Sequence, residues 1–92
     1  MTNVTDRESE TMVKIEVRSA IRELSEGKLT EKEFKQRLLS LQDVDGGNYY
    51  TISGAISGSL GDIYTEEFRG RVKRLAVEAN QEFGCNIDTF DL

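Results

Sequence analysis

The chain has no histidine, no proline and no tryptophan, and it has a single cysteine among its 92 residues. Without histidine it cannot build Ser-His-Asp or Cys-His catalytic systems, or the usual histidine-bearing zinc sites. The lone Cys85 excludes an internal disulfide and an all-cysteine zinc site, as is typical of proteins from a reducing cytoplasm. No pattern marks a carboxylate, lysine or tyrosine for catalysis. We therefore expect a protein that is not an enzyme and that uses no metal or cofactor.

Long hydrophobic runs are absent as well. No N-terminal apolar segment predicts a signal peptide or a membrane span, which favours a cytoplasmic protein. The net charge is −5 and the isoelectric point is about 4.7. Because phosphate backbones and anionic membranes repel such a chain, a basic protein is its favoured partner. The length fits one domain covering residues 1–92.

Two helices are predicted in the first half of the chain. Thr5-Asp6-Arg7-Glu8 matches a capping box, which leaves residues 1–4 as a flexible tail. The first helix then ends near Glu26, since Gly27 suits the left-handed position after a helix. A second capping box, Thr30 and Glu33, starts the next helix, and a short link makes the pair antiparallel. Apolar side chains at helical spacing form the inward faces: Val13, Val17, Ala20, Ile21, Leu24, Phe34, Leu38 and Leu41.

The second half contains a loop, a last helix and a tail. Residues 43–48 are rich in Asp, Asn and Gly, which favour turns. Thr65 is the predicted N-cap of the last helix and Gly84 its end, so residues 85–92 form a tail packed on the bundle. The inward face of this helix is predicted to hold Phe68, Val72, Leu75, Ala76, Ala79 and Phe83.

Residues 49–64 allow two structures. Tyr49, Tyr50, Thr51 and Ile52 have strand propensity, and the following glycines permit a hairpin at about 49–64 in an α+β fold. The helical alternative has an apolar stripe at residues 52, 56, 60 and 63, with the glycines of positions 54 and 58 on another face, open to a neighbouring helix. We favour the helix. The predicted fold is thus an all-α bundle of three main helices plus a short glycine-rich helix.

The segment 43–68 has the most distinctive composition. It holds five carboxylates, all three tyrosines and five of the eight glycines, and no lysine or arginine. Tyrosines anchor protein contacts, and carboxylates attract a basic surface. The candidate partner-binding residues are therefore Asp45, Tyr49, Tyr50, Asp62, Glu66 and Glu67.

Two other sites are weaker. A calcium-binding loop begun at Asp43 would need glycine at its sixth position and a bidentate acid at its twelfth, where this chain has Asn48 and Gly54. The basic cluster Arg69–Arg74 makes nucleic-acid binding a minor alternative. We expect local ion pairs to neutralise it, namely Glu66–Arg69, Glu67–Arg71 and Glu78–Arg74.

The favoured function is that of a stoichiometric inhibitor or immunity-type protein, which occludes the basic groove of a nucleic-acid-handling partner. In size, charge and helical plan the chain is similar to bacteriocin-type immunity proteins and to phage-encoded inhibitors. The alternative is a structural or regulatory subunit that forms a homodimer through the 52/56/60/63 stripe together with Phe90 and Leu92.

Overall fold

The computed structural model describes residues 6–42, 49–61, 63–89 and 92, with the backbone alone at 6–11 and 49–51. These residues form four helices: α1 (Asp6–Ser25), α2 (Glu31–Leu41), α3 (Tyr49–Leu60) and α4 (Glu66–Phe83). The described residues contain no strand, so the all-α prediction is confirmed and the alternative hairpin at 49–64 is wrong. The predicted tail at 1–4 and loop at 43–48 lie outside the described residues.

Gly27 ends α1 as the sequence predicts. Its φ is 75°, a left-handed conformation that favours glycine. The N–H of Gly27 donates to the carbonyl of Leu24 at 3.2 Å, and the N–H of Lys28 donates to that of Glu23 at 2.9 Å. These two bonds form a Schellman motif, which satisfies carbonyls at the end of α1 and turns the chain toward α2.

Threonine caps start both α2 and α4. At α2 the capping box is complete, because Glu33 N–H donates to Thr30 Oγ1 at 3.1 Å and Thr30 N–H donates to Glu33 Oε1 at 3.0 Å. At α4 the Oγ1 of Thr65 accepts from Phe68 N–H at 3.2 Å. Gly84, with a φ of 69°, forms the C-cap of α4. Local capping chemistry therefore fixes these helix ends.

The helices bury one shared core. Helix α1 packs against α2 and α3, and α2 packs against α4. The apolar stripes predicted for α1 and α2 are buried, and Val72, Leu75, Ala76 and Ala79 supply the face of α4. Phe83 is 36% exposed, so the prediction that it belongs to the inward face of α4 is wrong. The tail contributes Cys85 and Ile87, which are buried, and Leu92, which is partly buried against the same cluster.

Helix α3 confirms most of its predicted stripe and corrects one position. Ile52, Ile56 and Leu60 are buried, but Ile63 is 84% exposed. The helix ends at Leu60, and Gly61 follows with a φ of 44°. This turn takes Ile63 off the helical period, so the prediction that it shares the apolar face is wrong.

The two glycines inside α3 also differ from expectation. Gly54 and Gly58 are exposed, and a Cβ built on either would meet nothing within 4 Å. The prediction that they admit a neighbouring helix of the same chain is therefore wrong for the residues described. Ala55, between them, is buried instead.

Candidate functional site

The turn between α3 and α4 presents an apolar side chain beside two acids. Ile63 N–H donates to the carbonyl of Leu60 at 3.3 Å, which holds the turn, and the Ile63 side chain points away from the core, 84% exposed. Glu66 and Glu67, three and four residues after Ile63, lie in the first turn of α4, and both are exposed. We call Ile63, Glu66 and Glu67 the acidic end of the molecule.

Tyr64 holds this turn against the core of the molecule. Its ring centroid lies 4.9 Å from that of Phe68, with the planes tilted by 38°. Both rings are partly buried against the core. The turn that carries the acidic end is therefore tied to the body of α4 by an aromatic contact.

The acids of the acidic end have no partner among the described residues, unlike their counterparts in α2. Both helices carry two glutamates in the first turn, where the helix dipole favours anions. In α2, Glu31 accepts from Arg71 and Arg74, and Glu33 completes the capping box. No described hydrogen bond or ion pair engages Glu66 or Glu67. Their charge remains available to another molecule.

The basic cluster of α4 is largely used inside the fold. Arg71 Nε and Arg74 Nη2 bind the same oxygen of Glu31, at 2.7 and 2.8 Å. Arg74 also binds Glu78 at 3.2 Å, which confirms that predicted pair. Arg69 donates to the carbonyl of Gly61. The predicted pairs Glu66–Arg69 and Glu67–Arg71 are wrong, because each arginine reaches a partner outside its own helix.

A second ion cluster links α2 to α4. Lys35 Nζ lies 3.1 Å from Glu78 Oε1 and 2.7 Å from Glu82 Oε2. These hydrogen bonds, to Glu82 first and then Glu78, raise the pKa of Lys35. On the carboxylate side, the hydrogen bond from Arg71, with a further contribution from Arg74, lowers the pKa of Glu31. Both clusters join α2 to α4. Three of the four cations of α4, Arg69, Arg71 and Arg74, thus have partners within the chain.

A groove of about 390 Å³ between α1 and α3 was missed by sequence reasoning. Lys14, Ile15 and Arg18 of α1 line one side, and small residues of α3 line the other: Gly54, Ala55, Gly58 and Ser59. Ile15 is 60% exposed. The available signal was the four-residue spacing of Lys14, Arg18 and Arg22, which places three cations on one face of α1. We call Lys14, Arg18, Arg22 and the groove beside them the basic groove.

The buried cysteine offers no reactive site. Cys85 lies just after α4 with 6% of its surface exposed. Burial raises the pKa of its thiol, which disfavours the nucleophilic thiolate.

The structure brings together only part of the predicted partner-binding set. Glu66 and Glu67 are exposed and adjacent. Tyr49 and Tyr50 begin α3, where the backbone alone is described. Asp45 and Asp62 lie outside the described residues. The combination of these six residues in one surface stays a prediction.

Within the described part of the chain, no group of three His, Cys, Asp or Glu residues could hold a metal ion. Among the same residues, no helix has the length and apolar character needed to cross a bilayer. Comparison of the chain with protein-family models, with curated proteins and with solved structures finds no match. The surfaces of the molecule are therefore the guide to its function.

Proposed function

We propose that this chain is a small acidic protein-binding module, a stoichiometric inhibitor of the immunity type, and that the acidic end contacts its partner. The observation that carries the proposal is that Glu66 and Glu67 are exposed and have no cation as a partner among the described residues. The exposed Ile63 precedes them in the turn before α4. An apolar side chain flanked by uncompensated acids suits a basic protein surface, because charge guides the encounter and apolar burial holds the complex.

The mechanism is occlusion without chemistry. The carboxylates take the place of phosphates in the basic groove of a nucleic-acid-handling enzyme and block access of its substrate. The rigid attachment of the turn through Tyr64 and Phe68 limits the conformational entropy lost on binding. The proposal keeps Asp45, Tyr49, Tyr50 and Asp62 as further candidate contacts of the same partner.

The homodimer alternative receives less support. The side chains of Ile52, Ile56 and Leu60, proposed as its interface, are buried in the core of the single chain. Leu92 is partly buried against that core as well, and Phe90 lies outside the described residues. Nucleic-acid binding through Arg69–Arg74 is likewise less supported, because Arg71 and Arg74 are held by Glu31.

The proposal is tested by replacing both acids of the acidic end. Tagged wild-type chain is used to capture partners from lysate at low and high salt, alongside the double variant Glu66→Lys/Glu67→Lys. We expect a basic protein bound by the wild type at low salt and released at high salt, because salt screens exposed charges. The association rate of the purified partner should be lower for the double variant than for the wild type by about tenfold or more.

Glu16→Lys is the matched control, since Glu16 is also exposed and has no ion pair in the described structure. It makes a charge reversal on α1, away from the acidic end, and should leave capture intact. Ile63→Ser should mainly raise the dissociation rate. A partner retained equally by the double variant and by Glu16→Lys would show that the acidic end is not the contact surface.

A further inference from the structure

The cations of the basic groove have no partner in the described chain. Most other cations of known side-chain position are paired: Lys28, Lys35, Arg37, Arg71 and Arg74 all contact carboxylates. Lys14, Arg18 and Arg22 are exposed, and no described carboxylate forms an ion pair with them. Their spacing extends over about 12 Å along α1. Helix α3 carries no charged residue, so no side chain of that helix opposes this positive charge.

The opposite side of the groove is shaped for a close approach of backbone. Gly54 and Gly58 lie one helical turn apart and open onto empty space. Glycine in a helix interior lowers helix stability by about 1 kcal/mol relative to alanine. Neither Gly54 nor Gly58 has the left-handed φ that would require a glycine. The helix therefore carries a destabilisation that no contact within the described chain explains. Ile15, 60% exposed, adds an apolar contact on the facing side.

We infer that the basic groove is a docking site for an acidic amphipathic helix of a second protein. The glycines allow that helix to lie close to α3, Ile15 contacts its apolar stripe, and Lys14, Arg18 and Arg22 pair with its carboxylates. This surface is distinct from the acidic end and attracts a partner of opposite charge. The chain would thus hold two different proteins, one at each surface.

Two other occupants fit less well. In a two-fold pairing of two copies through this groove, the cations of both copies would face each other, which is repulsive. A nucleic acid would meet the three cations, but the whole chain has a net charge of −5, and the apolar Ile15 and the glycine floor offer nothing to phosphates.

The test is a titration of the ¹⁵N-labelled full chain followed by amide chemical shifts. The probe is a synthetic helical peptide of about 18 residues, five turns, with leucines on one face and glutamates beside them. We expect shifts confined to residues 12–22 and 54–59 and an affinity that rises as salt is lowered. The same peptide with lysine in place of glutamate should not shift these amides.

Two variants and one control test the groove itself. Arg18→Glu and Gly58→Gln should each weaken binding of the acidic peptide about tenfold or more, the first by repulsion and the second by filling the space over α3. Both positions are exposed on helices, so the variants should keep the wild-type circular dichroism spectrum. Lys32→Glu is the matched charge reversal, because Lys32 is exposed on α2, has no ion pair among the described residues and does not line the groove.

Several outcomes would overturn the inference. If the acidic peptide does not bind, the groove is not a docking site for an acidic helix. If Arg18→Glu and Gly58→Gln bind the peptide as tightly as the wild type does, the peptide binds elsewhere. Shifts of the same amides by a short DNA duplex at equal or lower concentration would assign the surface to nucleic acid. Shifts that depend on the concentration of the chain alone would assign it to a second copy.

Discussion

Asn80 ties the C-terminal tail to α4 through both polar atoms of its side-chain amide. Its Nδ2 donates to the carbonyl of Ile87, and its Oδ1 accepts from the N–H of Ile87, each at 2.9 Å. An ionised carboxylate in its place could accept from the N–H but has no hydrogen to donate to the carbonyl. The contact positions Ile87 and Cys85, the two buried residues that the tail adds to the core.

Asn80→Asp should destabilise the fold, although the two side chains have almost the same size. The carboxylate cannot donate to the carbonyl of Ile87 and places a negative charge beside it, so we expect a loss of about 1–3 kcal/mol in the free energy of unfolding. Urea unfolding at pH 7 measures this. Asn86→Asp makes the same charge change at an exposed position of the tail and should have little effect. Equal stability of the two variants would show that the amide contact contributes nothing.

At the same scale, the sequence predicted where the tail goes but not what holds it. The apolar residues of 85–92 indicated a segment packed on the bundle. A single asparagine in the last turns of a helix has no local pattern that reveals a bond to a residue beyond the helix end. The exposure of Ile63 was missed for a related reason, since it depends on the conformation of Gly61.

At the scale of helices, local chemistry predicted the boundaries well. The capping box of Thr30 and Glu33, the N-cap Thr65 and the terminal glycines Gly27 and Gly84 act within a few residues. Each was therefore visible as a short pattern. Helix α3 was harder to predict, because its glycines weaken the helix and its stability comes from side chains that pack on α1.

Replacing the glycines of α3 should stabilise the protein. Gly54→Ala and Gly58→Ala place a methyl group in open space and remove a helix-weakening residue, so each should add about 0.5–1 kcal/mol to the free energy of unfolding. Gly27→Ala is the control, because its site is also open but its φ is 75°, and it should destabilise instead. Thermal and urea unfolding of the three variants measure the effect. A loss of stability in Gly54→Ala or Gly58→Ala would mean that these glycines have a structural role in α3.

At the scale of the whole molecule, the ion pairs join helices that are distant in sequence. Glu31 and Arg71 are 40 residues apart, and Lys35 and Glu82 are 47 apart. Local patterns predict only pairs three and four residues apart within α4, and two of the three predicted pairs are wrong. The charges that folding leaves unpaired, at the acidic end and in the basic groove, become apparent only once these long-range pairs are known.

The pairing of Glu31 predicts how stability responds to acid. Because Arg71 and Arg74 lower the pKa of Glu31 below its ordinary value of about 4.5, its contribution is present above that pH and is lost as the pH falls through the folded-state pKa. Glu31→Gln should therefore be less stable than the wild type at pH 7, by a modest amount, since the carboxylate is partly exposed to solvent. The difference between the two proteins should shrink as the pH is lowered below 4.5 and through the lowered pKa of Glu31.

Urea unfolding of both proteins across this pH series provides the measurement, and the double variant Glu31→Gln/Arg71→Gln provides the control. If the carboxylate acts through Arg71, the double variant should be destabilised by less than the sum of the two single variants. Added salt should reduce the difference at pH 7, because it screens the partly exposed pair. A difference that is independent of both pH and salt would show that the charge of Glu31 does not stabilise the fold, and the α2–α4 contact would then be held by the apolar core and Lys35.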